Sequence, residues 1–136
     1  MPYAVKHDPL LDIIELTLTG SLTSTTLREA TTKGVSLQKQ TRTTRFLVDP
    51  NGAELGASIS DIYDLPAEQY PKENLDPRSQ IAVILPASAR AQEIARFYET
   101  VCRNRGWNAR IFPDRQSAIE WLRSAGSSDQ SNARNG

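Results

Sequence analysis

Few side chains in this sequence are of a type and spacing that could do chemistry. Ser58-Ile59-Ser60-Asp61 places two hydroxyls and an acid within four residues. That spacing predicts a helix N-cap whose acid returns to the backbone three residues on. Asp49 ends the apolar run Arg45-Phe46-Leu47-Val48-Asp49, and α/β sheets place their ligand crevice at such strand ends. A phosphoacceptor aspartate there would need an acidic pair after the first parallel strand and a lysine after the last. Gly20-Ser21-Leu22-Thr23 and Phe112-Pro113-Asp114 supply neither. Asp49 is therefore expected to accept hydrogen bonds from the turn Pro50-Asn51-Gly52, as an Asx-turn does.

The single histidine, His7, stands beside Asp8 at a turn, with no nucleophile near it in sequence. Cys102, the single cysteine, lies on an apolar helical stripe, which predicts an inert buried thiol. A metal site would need clustered carboxylates, and the acids are scattered. The seven glycines form no G-x-G-x-x-G or Walker pattern. No catalytic residue, cofactor or metal is expected.

The elements that must position these residues follow from periodicity. Tyr3–Lys6 predicts a short strand ending at His7-Asp8-Pro9. Ile13–Thr19 alternates, with Ile14, Leu16 and Leu18 on one face, so it predicts a half-buried strand paired antiparallel to the first. Gly20-Ser21-Leu22-Thr23-Ser24 breaks it and offers hydroxyl caps. Leu27, Ala30, Gly34 and Leu37 then form a helical face. The glycine in it either lets the helix sit close to the sheet or weakens it. Arg45–Asp49 is a buried strand stopped by Pro50-Asn51-Gly52. Ile62 and Leu65 make a short helix that Pro66 limits, and Ala67–Pro77 reads as a polar surface excursion. Within that region Tyr63, Tyr70 and Leu75, if exposed together, would form an apolar docking patch.

Gln80–Leu85 reads as a central parallel strand. Arg90–Arg105 is a helix with Ala91, Ile94, Ala95, Tyr98, Val101 and Cys102 inward, Ser88 capping it and Gly106 ending it. Trp107–Phe112 is the last strand, and Asp114 caps a final helix with Ala118, Ile119, Trp121 and Leu122 inward. The order β-β-α-β-α-β-α-β-α predicts an α/β fold: a mostly parallel five-stranded sheet with an antiparallel edge strand and helices on both faces. Residues 1–125 are expected to form one domain. Residues 126–136, rich in Ser, Asn and Gly, are expected to be a disordered tail.

Composition narrows the function classes. Sixteen basic and sixteen acidic residues give zero formal net charge in 136 residues, without the basic excess of a nucleic-acid binder. The arginines at 90, 96, 103, 105, 110 and 115 are interleaved with Glu93 and Glu99, the pattern of an ordinary solvated face. No stretch approaches the ~20 apolar residues of a membrane span, and Met1–Asp8 lacks a signal-peptide core. A cytoplasmic location is expected.

Particular stretches, in order, resemble the STAS superfamily, and more nearly its SpoIIAA-like STAS/SEC14 proteins. They are Leu18-Thr19-Gly20-Ser21-Leu22-Thr23, Phe46-Leu47-Val48-Asp49, Ser60-Asp61-Ile62-Tyr63-Asp64-Leu65-Pro66, and Arg96-Phe97-Tyr98-Glu99 through Gly106 to Ile111-Phe112-Pro113-Asp114. They span Tyr3 to about Leu122. The resemblance implies a non-enzymatic regulatory or protein-interaction module with a protein partner, and it allows a homodimer. It places a switch serine at Ser58 or Ser60, where a phosphate would add about −1.5 to −2 charge. The family's Asp-Ser-Ser-Gly-like phosphosite is replaced here by Gly56-Ala57-Ser58-Ile59-Ser60-Asp61, which leaves an N-cap role as the simpler reading of either serine. Asp49, Asn51, Asp61 and Tyr63 mark the expected recognition loop. The SEC14 likeness implies the alternative, a carrier of a small apolar ligand or lipid, which needs an apolar cavity of about 300 Å³ or more.

Overall fold

The computed structural model describes residues 3–56 and 58–124; the expected tail, 126–136, lies outside them. Five strands, β1 (Tyr3–Asp8), β2 (Ile13–Leu22), β3 (Arg45–Leu55), β4 (Gln80–Ile84) and β5 (Asn108–Phe112), form one sheet in sequence order. β1 and β2 are antiparallel, and every other neighbouring pair is parallel. The hairpin between them closes because the Asp8 carboxylate accepts the Leu10 and Leu11 N–H groups at 2.9 and 3.1 Å.

The helices are α1 (Ser24–Thr41), α2 (Ile59–Asp64), a π-helical turn (Leu65–Gln69) running into α3 (Tyr70–Lys72), α4 (Ala89–Asn104), and α5 (residues 115–124). From β2 to β5 the sheet advances one strand at a time, so crossovers of one hand bring α1, α2–α3 and α4 to the same face. There Leu27, Ala30, Ile62, Leu65, Tyr70, Ile94 and Cys102 pack on Ile14, Leu16, Phe46, Ile81 and Val83. α5 covers the opposite face, setting Ala118 and Leu122 on Ile13, Leu47, Ala82 and Ile84. The expected sheet-and-helix order is thus the one that forms.

Three segments depart from the sequence reading. β2 does not break at Gly20 but continues to the buried Leu22, because Gly20 takes a φ of +65° that a glycine adopts without strain. β3 does not stop at Pro50. It runs to Leu55 by carrying one extra residue against β2, since Thr17 pairs with Asp49 while Thr19 pairs with Gly52. A bulge is where a strand tolerates proline, which brings no N–H to the ladder. The Asx bond expected of Asp49 is present inside that bulge: its Oδ1 accepts the Asn51 N–H at 3.1 Å.

Third, Pro66 does not end the helix. The ladder reorganises around it: Leu65 N–H reaches back to Ile62, and Tyr70 N–H reaches Leu65, a π-type step. The same step would give the Pro66 carbonyl to residue 71, which is also proline and has no N–H. The indole N–H of Trp107 donates to it instead, at 3.0 Å. The stretch after Pro66 is consequently a surface excursion only in part, with Glu68, Pro71, Lys72, Asn74 and Pro77 exposed. Pro66, Ala67, Tyr70 and Leu75 are all buried, so the apolar patch expected of Tyr63, Tyr70 and Leu75 does not form. Tyr63 alone stays exposed.

Candidate functional site

Where β2, β3 and β4 end, the three helices on their face do not close over them. An apolar groove of about 130 Å³ remains, its floor and walls made by Leu18 and Leu22 from β2, Val48 from β3, Val83 from β4, Leu27 from α1, Ile62 from α2, and Ile94 and Tyr98 from α4. The space persists because three positions on its walls are alanine, Ala53, Ala91 and Ala95. The β3 bulge matters here, since it brings Pro50 and Ala53 into the lining. The location is the crevice outside the C-terminal ends of parallel strands, where open α/β sheets bind ligands.

The groove opens into a more polar cleft of about 360 Å³. The two share Pro50, Ala53, Pro86, Ala91 and Ile94, and the cleft adds Asn51, Glu54, Ala87, Ser88 and Arg90. The β4–α4 loop on its rim is held by two local bonds. Ser88 Oγ accepts the Ala91 N–H at 3.1 Å, and the Gln92 side-chain amide donates to the Pro86 carbonyl at 2.9 Å.

Beneath the groove, the Tyr98 hydroxyl meets the Tyr70 hydroxyl at 2.5 Å, with Cys102 beside them. Burial raises the ionisation of all three groups: both phenols stand well above the ordinary tyrosine value, and the thiol is pushed up to about 12. At neutral pH each is protonated, so the cluster offers no thiolate or phenolate nucleophile. The Tyr70 ring also meets Trp107 edge-on at 5.6 Å.

Of the six residues expected to mark a switch or recognition loop, Ser58 and Asp61 meet, and the six do not form one site. Asn51 lies in the polar cleft. Asp49 follows Val48, a groove residue, so its side chain points to the α5 face. There its charge and that of Asp8 add to the Glu15 hydrogen bonds that raise the Arg115 pKa. Ser58 caps α2 in a full capping box: its Oγ accepts the Asp61 N–H at 3.1 Å, and the Asp61 carboxylate accepts the Ser58 N–H and O–H at 3.0 Å. Those bonds with Ser58 hold the Asp61 carboxyl below its ordinary pKa. Ser60 is exposed and caps nothing. Tyr63 packs under the Arg105 guanidinium, 5.4 Å from its ring centre, and accepts a hydrogen bond from it.

His7 bonds Asp12 at 2.9 Å rather than Asp8. Among the described residues no three His, Cys, Asp or Glu side chains gather as metal ligands, and no helix is long and apolar enough to cross a membrane. Sequence reasoning missed the alanine and proline positions that shape the groove. The available signal was the position of Leu22 and Ala53 in the last residues of their strands and of Pro86 just past β4, where a crevice opens.

No family model matches the chain, and no curated protein matches it in sequence. Among solved structures it is similar to an uncharacterized protein of the DUF3478 family with a SpoIIAA-like fold, from Shewanella loihica PV-4. The two are 15% identical with a TM-score of 0.56, over 88% of this chain and 91% of that one. At that identity the likeness is one of fold, and it agrees with the segment order read from the sequence. A parallel sheet with an antiparallel edge, three crossovers on one face and a closing helix on the other give this chain a SpoIIAA-like fold.

Proposed function

We propose that the protein acts by binding rather than catalysis, and that its site is the groove at the ends of β2, β3 and β4. The observation that carries this reading is an open groove of about 130 Å³ lined almost wholly by apolar side chains. Apolar surface left in contact with water is unfavourable, and an apolar ligand group would relieve it. The size sets the ligand class. A full lipid or drug-sized molecule needs about 300 Å³ or more. A cavity of about 150 Å³ takes benzene, so the groove suits one ring or a short branched chain. The protonated, buried Tyr98 and Cys102 support binding over chemistry.

The test is an NMR titration of the amides of Leu18, Val48, Val83 and Ile94 with 3-phenylpropanol, an uncharged ring-bearing probe. Saturable shifts at those residues, abolished by Ala95→Phe, are expected. Absence of saturable shifts up to the solubility limit would overturn the reading.

A second reading, docking of a protein partner on the outer face of α2, is favoured by Ile59 and Tyr63. These large apolar residues, one helical turn apart, are 48% and 39% exposed. In a complex purified with such a partner, Ile59→Glu should release it while 3-phenylpropanol still binds; retention of the partner sinks this reading.

A further inference from the structure

The cleft at the mouth of the groove is bordered by two exposed side chains of opposite charge that no ion pair among the described residues engages. Glu54 and Arg90 both line it. Among the described residues the ion pairs are His7 with Asp12, Arg78 with Asp76, and Arg115 with Glu15, none involving either residue. Asn51 and the Ser88 hydroxyl, the latter engaged in capping α4, share the same walls. The cleft adjoins the groove, since Pro50, Ala53, Ala91 and Ile94 line both spaces, so a ligand seated in the groove and extended past these residues reaches it.

Building on the groove reading above, we propose that the ligand is a small zwitterion: a free α-amino acid with an apolar or aromatic side chain. Its carboxylate pairs with Arg90, its ammonium with Glu54, and its side chain enters the groove. A simple anion would meet Glu54 as well as Arg90, and a simple cation would meet the reverse. Only a ligand carrying both charges is complementary to both walls. The groove volume of about 130 Å³ fits a phenylalanine or leucine side chain better than a longer acyl chain.

Four ligands with the same phenyl group separate the contributions. They are L-phenylalanine, 3-phenylpropionate (no ammonium), 2-phenylethylamine (no carboxylate) and 3-phenylpropanol (neither). Partly exposed ion pairs are each worth a few-fold in affinity, so phenylalanine is expected to bind about three- to fivefold tighter than either singly charged analogue. Arg90→Gln should weaken phenylalanine and 3-phenylpropionate but not 2-phenylethylamine. Glu54→Gln should weaken phenylalanine and 2-phenylethylamine but not 3-phenylpropionate. If either singly charged analogue binds as tightly as phenylalanine, or all four bind alike, the zwitterion proposal is overturned while the groove reading stands. If none of the four binds, both are overturned.

Discussion

Single residues decide the electrostatics of the core beneath the groove. Tyr70, Tyr98 and Cys102 are held neutral by burial, with folded pKa values above their unfolded ones. The native state therefore keeps protons that the unfolded chain gives up near pH 9 for the thiol and pH 10 for the phenols. This stabilisation is complete below about pH 9 and is lost as pH rises above it, at most about 1.4 kcal/mol per pH unit for each fully titrating group. Urea unfolding at pH 8, 9.5 and 11 should show a steep alkaline loss, and Tyr70→Phe should make it shallower. An unchanged slope in that variant would show that Tyr70 does not titrate with unfolding. For the same reason Cys102 should resist disulfide reagents at pH 8 until the protein unfolds.

At the scale of elements, the helix running from α2 to α3 depends on a side chain from another part of the chain. With Pro66 and Pro71 five residues apart, the Pro66 carbonyl has no backbone donor available in the π turn, and Trp107 provides one. Trp107→Phe keeps most of the ring packing on Tyr70 but leaves a buried carbonyl unpaired, which costs about 1–3 kcal/mol. Chemical denaturation should place the loss in that range; a change under 0.5 kcal/mol, well below it, would mean water replaces the indole. α1 offers the opposite case. A Cβ on Gly34 would lie 3.5 Å from Phe46 and 3.8 Å from Leu16, ordinary contact distances. Gly34→Ala should therefore raise stability by about 0.5–1 kcal/mol through helix propensity.

Strong periodicity made most elements legible in the sequence: the alternation at Ile14, Leu16 and Leu18, the apolar run of β4, the inward stripe of α4. The errors fell where one residue type overrode its usual meaning. Pro50-Asn51-Gly52 reads as a turn because proline and glycine usually end strands, yet a bulge absorbs the missing N–H. Pro66 reads as a stop because its rescue comes from Trp107, 41 residues away. Such long-range compensation leaves no local pattern. The groove was illegible for the same reason: its alanines Ala53, Ala91 and Ala95 come from separate segments, and each alone looks like ordinary core or surface.

For the whole molecule, the groove should link ligand occupancy to stability. A ligand that binds only the folded chain stabilises it by RT ln(1 + [L]/Kd), about 1.4 kcal/mol at tenfold excess over Kd. The groove walls come from β2, β3, β4, α1, α2 and α4. Occupancy therefore joins elements on one face of the sheet and leaves the α5 face untouched. Hydrogen exchange should accordingly slow at the ends of those strands and in α4, while amides of β1 and α5 change only through the global shift. A covalent imitation of the ligand gives the control. Ala91→Leu places an aliphatic group in the same space and should raise the melting temperature of the free protein while abolishing the ligand-induced rise. If Ala91→Leu still shows the full ligand-induced stabilisation, the ligand sits elsewhere on the molecule and the groove is only imperfect packing.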